Sequence, residues 1–132
     1  MSTVREITFE GLTGEEILAL PPRDIEQLIV TGEPLVFRVG SATILGTFKR
    51  TPGRLIVELA QIEGGGEGVL MSLSSLAKRY AELNMLTEIE WIVHAVSCAK
   101  PNLKLRRVLE HRGFSVEHIS EVGQAYHLIE PV

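Results

Sequence analysis

The chain has 132 residues, 45% of them apolar, and its 13 basic and 17 acidic side chains give a formal net charge of -4. This composition predicts one domain over residues 1–132, with a core that needs neither metal nor disulfide. The acidic balance and the 5% aromatic content argue against a nucleic-acid partner. No apolar run approaches the roughly 20 residues that span a bilayer, so no membrane helix is expected. A lone Cys98 and the lack of a basic-then-apolar leader predict a cytoplasmic location.

The first part of the chain predicts a strand and two short helices. Residues 4–9 alternate between the two faces of a strand. Thr13 and Glu16 have the spacing of a capping box, which predicts a helix that runs to about Leu20. Pro22 follows another proline and suits the first turn of a second helix, which we expect to end near Gly32.

The middle of the chain changes to the pattern of strands. Residues 35–39, 42–49 and 54–62 are rich in residues that favour strands. Gly40-Ser41 and Thr51-Pro52-Gly53 separate these runs, and both are turn sequences. Three consecutive antiparallel strands are therefore predicted.

The rest of the chain alternates between helix and strand. Apolar side chains recur every three or four positions over residues 69–83, as in an amphipathic helix. Residues 87–96 are apolar on both sides and predict a central strand covered on both faces. A helix over 102–112 follows, and the strands 116–119 and 125–129 complete the chain.

The predicted order is strand, two short helices, three meandering strands, helix, strand, helix and two strands. Strands and helices alternate after Ile62, and this alternation is typical of a sheet that contains parallel pairs. The fold class is therefore α/β (α+β), with a mixed twisted sheet and helices on both of its faces.

A glycine-rich turn, Gln61-Ile62-Glu63-Gly64-Gly65-Gly66, lies between a predicted strand and a predicted helix. Glycines let backbone amides approach a pyrophosphate closely, and the start of a helix favours an anion. The plain alternative is a flexible turn, which is the commoner meaning of an isolated glycine cluster. A second register, Glu63-x-x-Gly66-x-Gly68, places glutamate in the first position.

A second pattern consists of Asn102, Leu105, Gly113 and Phe114. Together with the glycine turn and the order of elements, it resembles the GCN5-related N-acetyltransferase (GNAT) superfamily over essentially the whole chain. The resemblance implies acetyl-CoA as cosubstrate, with its pyrophosphate on the glycine turn and its pantetheine arm near Asn102. The cofactor-binding candidates are Gln61, Ile62, Gly64, Gly65, Gly66, Gly68 and Asn102. The alternative for Asn102 is an ordinary helix cap.

Three residues depart from the family pattern. The tyrosine that usually reprotonates the coenzyme A thiolate is Leu109 here, and leucine cannot donate a proton. Glu63 and Glu67 place carboxylates beside a turn meant for an anion. Cys98 is a candidate substitute for the tyrosine, although a lone cysteine is most often core filling.

Glu58 and His94 are the candidate general bases. An amine must be neutral before it can accept an acyl group, and a carboxylate or an imidazole can take up its proton. Family members often carry a glutamate base on the strand that here contains Glu58. The alternatives are an outward-facing strand glutamate and an ordinary core histidine. No histidine spacing indicates a metal site.

Two functions follow from the resemblance. The first is an acyl-CoA-dependent N-acyltransferase that transfers acetyl directly to a primary amine of a small molecule or peptide. The second is a catalytically degenerate relative that serves as a coenzyme A-binding, regulatory or protein-interaction module, as Glu63, Glu67 and Leu109 suggest. Dimers are common in the family, so the resemblance also implies that a homodimer is possible.

Overall fold

The computed structural model describes residues 7–64, 68–95 and 103–132, which form eight strands and four helices. The strands are β1 (Ile7–Phe9), β2 (Leu12–Thr13), β3 (Leu35–Val39), β4 (Ala42–Thr51), β5 (Arg54–Glu63), β6 (Glu88–Val93), β7 (Ser115–Ile119) and β8 (Gly123–Pro131). The helices are α1 (Gly14–Leu18), α2 (Pro22–Leu28), α3 (Gly68–Leu83) and α4 (Leu103–His111). No helix within these ranges has the length and apolar character to cross a membrane.

All eight strands form one sheet in the order β2-β1-β3-β4-β5-β6-β8-β7. Only β5 and β6 are parallel, and every other pair is antiparallel. The prediction of a mixed sheet with helices is therefore confirmed. The predicted order lacked β2, a two-residue strand that pairs with β1 through Phe9 and Leu12.

Local signals in the sequence set several of these boundaries. The Thr13 hydroxyl accepts from the Glu16 N–H at 3.2 Å, and the Glu16 carboxylate accepts from the Thr13 N–H at 3.1 Å, so the capping box is present. Gly40 has φ 58 in the two-residue turn between β3 and β4. Gly113, with φ 95, follows the end of α4 in the conformation that favours glycine.

The hydrophobic core lies on one face of the sheet. Rings of Phe9 and Phe37 stack with centroids 4.7 Å apart, and Phe48 contacts both. Every described helix contributes buried residues to this core, from Ile17 of α1 to Leu109 of α4. The side chains that the described helices bury all belong to one cluster.

The opposite side of the sheet is called the open face. On β5, β6 and β8 its side chains are Arg54, Ile56 and Glu58 of β5, Glu88, Glu90 and Ile92 of β6, and Ala125, His127 and Ile129 of β8. These residues alternate with the core residues, because successive side chains of a strand point to opposite faces. Ile92 is buried but lies outside the core cluster, and Glu88 and Glu90 accompany it on this side of β6. The open side of β6 is therefore mostly charged, whereas the sequence predicted a strand apolar on both sides.

Candidate functional site

The described pairing of β5 with β6 ends at Leu59 and Val93, and the region beyond this end is called the gap. The two strands pair from Arg54↔Glu88 to Leu59↔Val93, and the His94 N–H donates to the Leu59 carbonyl at 2.9 Å. β5 continues to Glu63, so in the described part of the chain its last four residues have no partner from β6. Ligands of α/β sheets bind beyond the carboxyl ends of parallel strands, which is the location of this gap.

A β-bulge interrupts the pairing of β5 with β4 next to the gap. Leu59 pairs with Gly46 and Gln61 pairs with Leu45, so Ala60 is left unpaired between them. A Cβ on Gly46 would lie 3.1 Å from the Glu58 carbonyl oxygen and 3.1 Å from Leu59 Cδ2. Gly46 was missed by the sequence analysis, although a glycine inside a strand pattern is the usual signal for a bulge or a close backbone approach.

The structure brings the two candidate bases together. His94 Nε2 lies 2.8 Å from Glu58 Oε2, and the side chains are 29% and 26% exposed. An ionised carboxylate can only accept a hydrogen bond, so Nε2 donates in this contact. Glu58 and His94 thus form one hydrogen-bonded pair that faces solvent at the gap, whereas the sequence offered them as alternatives.

The glycine turn begins directly after the bulge. Gly64 has φ 77, and a Cβ there would lie 3.3 Å from the Ser41 carbonyl oxygen, so a side chain would be both strained and crowded. The Gln61 amide donates to the Glu63 carboxylate at 2.6 Å. Because of this bond, the Gln61 amide is already hydrogen-bonded, and the Glu63 carboxylate lies next to it.

Only part of the predicted cofactor site lies in the described residues. Gly68 is exposed and begins α3, a helix of 16 residues whose first turn carries no acidic side chain. Ile62 packs against the core. The start of α3 suits an anionic group, because the helix dipole favours negative charge. Outside the described residues lie Gly65, Gly66, Cys98 and Asn102.

The helix α4 supplies no phenol at the position of the family tyrosine. Leu109 is 0% exposed in the core. Arg106 Nε donates to the Ala95 carbonyl at 2.7 Å and so fastens α4 to the chain just beyond β6. Tyr126 places its phenol beside α4, where the hydroxyl donates to Glu110 Oε2 at 3.1 Å. Burial, followed by this hydrogen bond, raises the pKa of Tyr126.

Metal-ligating side chains do not cluster around the pair in the described part of the chain. Among residues 7–64, 68–95 and 103–132, no group of three or more His, Cys, Asp and Glu side chains is placed to hold a metal ion. The described site offers a carboxylate, an imidazole and backbone amides.

Neither a protein-family model nor a curated protein sequence matches the chain. Solved structures are similar to it, and three of them are described next. The NatC complex bound to Gag peptide and CoA has 17% identity and a TM-score of 0.41, over 71% of this chain and 62% of that chain. Ard1 from Thermoplasma volcanium has 17% identity and a TM-score of 0.34, over 75% and 70% of the two chains. An acetyltransferase from Thermus thermophilus has 13% identity and a TM-score of 0.40, over 88% and 80%. At identities and TM-scores this low, function rests on the residues of the site.

Proposed function

We propose that the chain is an acyl-CoA-dependent N-acyltransferase, which moves an acetyl group directly to a primary amine of a small molecule or peptide. The observation that carries the proposal is the 2.8 Å contact between Glu58 and His94, at the point where the described pairing of β5 with β6 ends. A proton acceptor and the first residues of the glycine turn both lie on β5.

The pair would act on the proton of the amine. An ammonium group has no lone pair, so it cannot attack a carbonyl until it loses a proton. The Glu58–His94 pair can take up that proton, and such a group typically contributes about 10² to 10⁴-fold to the rate. Bound acetyl-CoA would supply the acyl group as a thioester: as the new N–C bond forms, the C–S bond breaks, and the leaving thiolate takes up the second proton that the nitrogen loses.

The glycine turn would hold the cosubstrate. Gly64 and the start of α3 at Gly68 supply backbone amides and the positive end of a helix dipole. Gln61 and Ile62 flank the turn, and the proposal extends it to Gly65, Gly66 and Asn102. For phosphates to bind here, the carboxylate of Glu63 must point away from them, which requires the contact between Gln61 and Glu63 to rearrange.

A second candidate function is a module that binds coenzyme A or another protein without turnover. Two observations favour it. Leu109 is fully buried where the family has its proton donor, and the Gln61 amide is already engaged by Glu63. Under this alternative, the Glu58–His94 pair is a structural contact on the sheet.

Two measurements separate these functions. Calorimetric titration with acetyl-CoA tests binding, and thiol release across a panel of primary amines and peptide N-termini tests turnover. Binding with thiol release supports the enzyme, binding without release across the panel supports the module, and the absence of binding contradicts both coenzyme A proposals.

The role of the pair is tested with Glu58→Gln, His94→Gln and the double variant, beside the control Glu82→Gln on the exposed surface of α3. We expect each single variant to lower kcat by about 100-fold, with the affinity for acetyl-CoA unchanged. Residues that act as a unit are non-additive, so the double variant should lose no more than the worse single variant. Unchanged kcat in the single variants, or fully multiplying losses in the double variant, would show that the pair is not the base.

A further inference from the structure

A second histidine on the open face is bonded at both ring nitrogens. His127 of β8 places Nε2 2.8 Å from Glu90 Oε2 of β6 and Nδ1 2.8 Å from Glu117 Oε2 of β7. A neutral imidazole has one N–H and one lone pair, whereas ionised carboxylates only accept. Both contacts are therefore satisfied with two ionised carboxylates only when the ring is an imidazolium.

The contacts extend across four neighbouring strands. Glu90 also accepts from Arg54 Nη1 at 2.9 Å, and Arg54 bonds Glu88 of β6 as well. The Ser115 hydroxyl donates to the Glu117 carboxylate at 3.2 Å. The groups that face His127 are thus the two carboxylates, with Arg54 beyond Glu90, and its partners in the strand pairing are Ile92 of β6 and Ser115 of β7.

The edge strand β7 has little else to hold its side chains. It pairs with β8 alone, and its residues from Ser115 to His118 are exposed. Glu117 is the residue of β7 that reaches across β8, through His127, to the inner strand β6. This link is a side-chain contact added to the backbone bonds between β7 and β8.

We propose that His127 is a proton-controlled clasp, which fastens the edge strand β7 to the inner strand β6 when the ring is charged and loosens it when the ring is neutral. Deprotonation removes one N–H and the positive charge, so one of the two carboxylates faces a ring lone pair and loses its hydrogen bond from His127. The backbone of β7 then opens more often. The clasp acts on strand opening and is independent of the proposed acyl transfer.

The pH range of the clasp follows from the two partners. Burial alone would lower the pKa of His127, but the bonds to Glu90 and Glu117 outweigh it and raise the pKa above 6.5. The stabilisation is therefore complete below about pH 6.5 and is lost as the pH rises through the folded value. The bond from His127 lowers the pKa of Glu117 below 4.5, so its part is present above about pH 4.5 and is lost in stronger acid. The clasp is tightest between these limits and opens on the alkaline side.

The test measures the ring and the strand separately. Nitrogen-15 NMR of the full chain should show His127 with both ring nitrogens protonated at pH 6 and a titration midpoint above 6.5. Hydrogen exchange of the β7 amides, corrected for the intrinsic effect of pH, should lose protection by about tenfold as the pH passes that midpoint. A midpoint at or below 6.5, or protection that does not change with pH, would overturn the proposal.

Matched variants locate the effect. His127→Gln should abolish the pH dependence of β7 protection, whereas His118→Gln, an exposed histidine on β7 itself, should preserve it. A pH dependence that persists in His127→Gln assigns the effect to another group and rejects the clasp. If His127→Gln does not fold, the titration of the unaltered chain decides alone, since its midpoint is measured without any substitution.

Discussion

The two faces of the sheet are formed by alternate residues of the same strands, yet different forces stabilise them. On the core face, Val57 and Trp91 are buried among apolar side chains, where stabilisation follows the area removed from water. On the open face, the adjacent Glu58 and Glu90 make short hydrogen bonds to histidines. Apolar burial tolerates small shifts, whereas hydrogen bonds depend on distance and direction. The difference teaches that this sheet keeps its stability on one side and its ionisable chemistry on the other.

The largest expected effect is on the core face. Phe37 is 1% exposed and stacks on Phe9, so Phe37→Ala should lower the free energy of unfolding by about 3–5 kcal/mol. The neighbouring Val36 is 59% exposed, and Val36→Ala should change it by less than about 0.5 kcal/mol. Urea denaturation of both variants measures the contrast. Similar losses in the two would show that the faces do not differ as described.

A substitution at Gly46 should affect both faces. Its added Cβ would meet the backbone carbonyl oxygen of Glu58 and the core side chains of Leu59 and Phe37, at 3.1–3.3 Å. We expect Gly46→Val to destabilise by about 1–3 kcal/mol, and Gly46→Ala by less, because overpacking grows with size. The chemical shifts of His94 should move with the backbone that carries Glu58. A stable variant with unshifted His94 signals would show that Gly46 does not position the pair.

The open face should respond to charge more than to size. Glu90→Gln removes the carboxylate shared by Arg54 and His127, and we expect a loss of about 1 kcal/mol. Added salt should reduce the difference, because partly exposed ion pairs are screened. Glu82→Gln on α3 is the control, with no change expected. Denaturation at low and high salt measures both, and a loss that salt leaves unchanged would point to packing as the cause.

The smallest effect is expected at an apolar residue of the open face. Ile129 is 43% exposed, so Ile129→Val should change the free energy of unfolding by less than about 0.5 kcal/mol. Ile89 of β6 is 0% exposed in the core, and the same substitution there should cost about 1 kcal/mol. Thermal denaturation of the two variants makes the comparison. An equal cost at both positions would show that a partner covers Ile129 in solution.

Much of the fold could be predicted because its signals are local. The capping box at Thr13, the turn at Gly40 and the apolar stripe of α3 all depend on neighbouring residues. β2 was missed because two residues are too few to show an alternation.

The candidate site divides in the same way. Glu58 and His94 were identified by residue type and position, but their contact joins side chains 36 positions apart. It depends on the parallel register of β5 and β6, which no local pattern specifies. The link from Glu117 to His127 depends likewise on the pairing of β7 with β8. The roles proposed for Gly65, Gly66, Cys98 and Asn102 stay predictions.

The edge strands of the described sheet, β2 and β7, bear on aggregation between copies of the protein. An unpaired strand is a template on which another chain can add, and proteins limit this hazard by shortening the strand or by placing charge on it. The β2 end is only two residues long. The β7 end is longer and exposed, but Glu117 lies at its centre. Two copies that met along β7 would bring two Glu117 carboxylates together, and these charges repel once His127 has lost its proton.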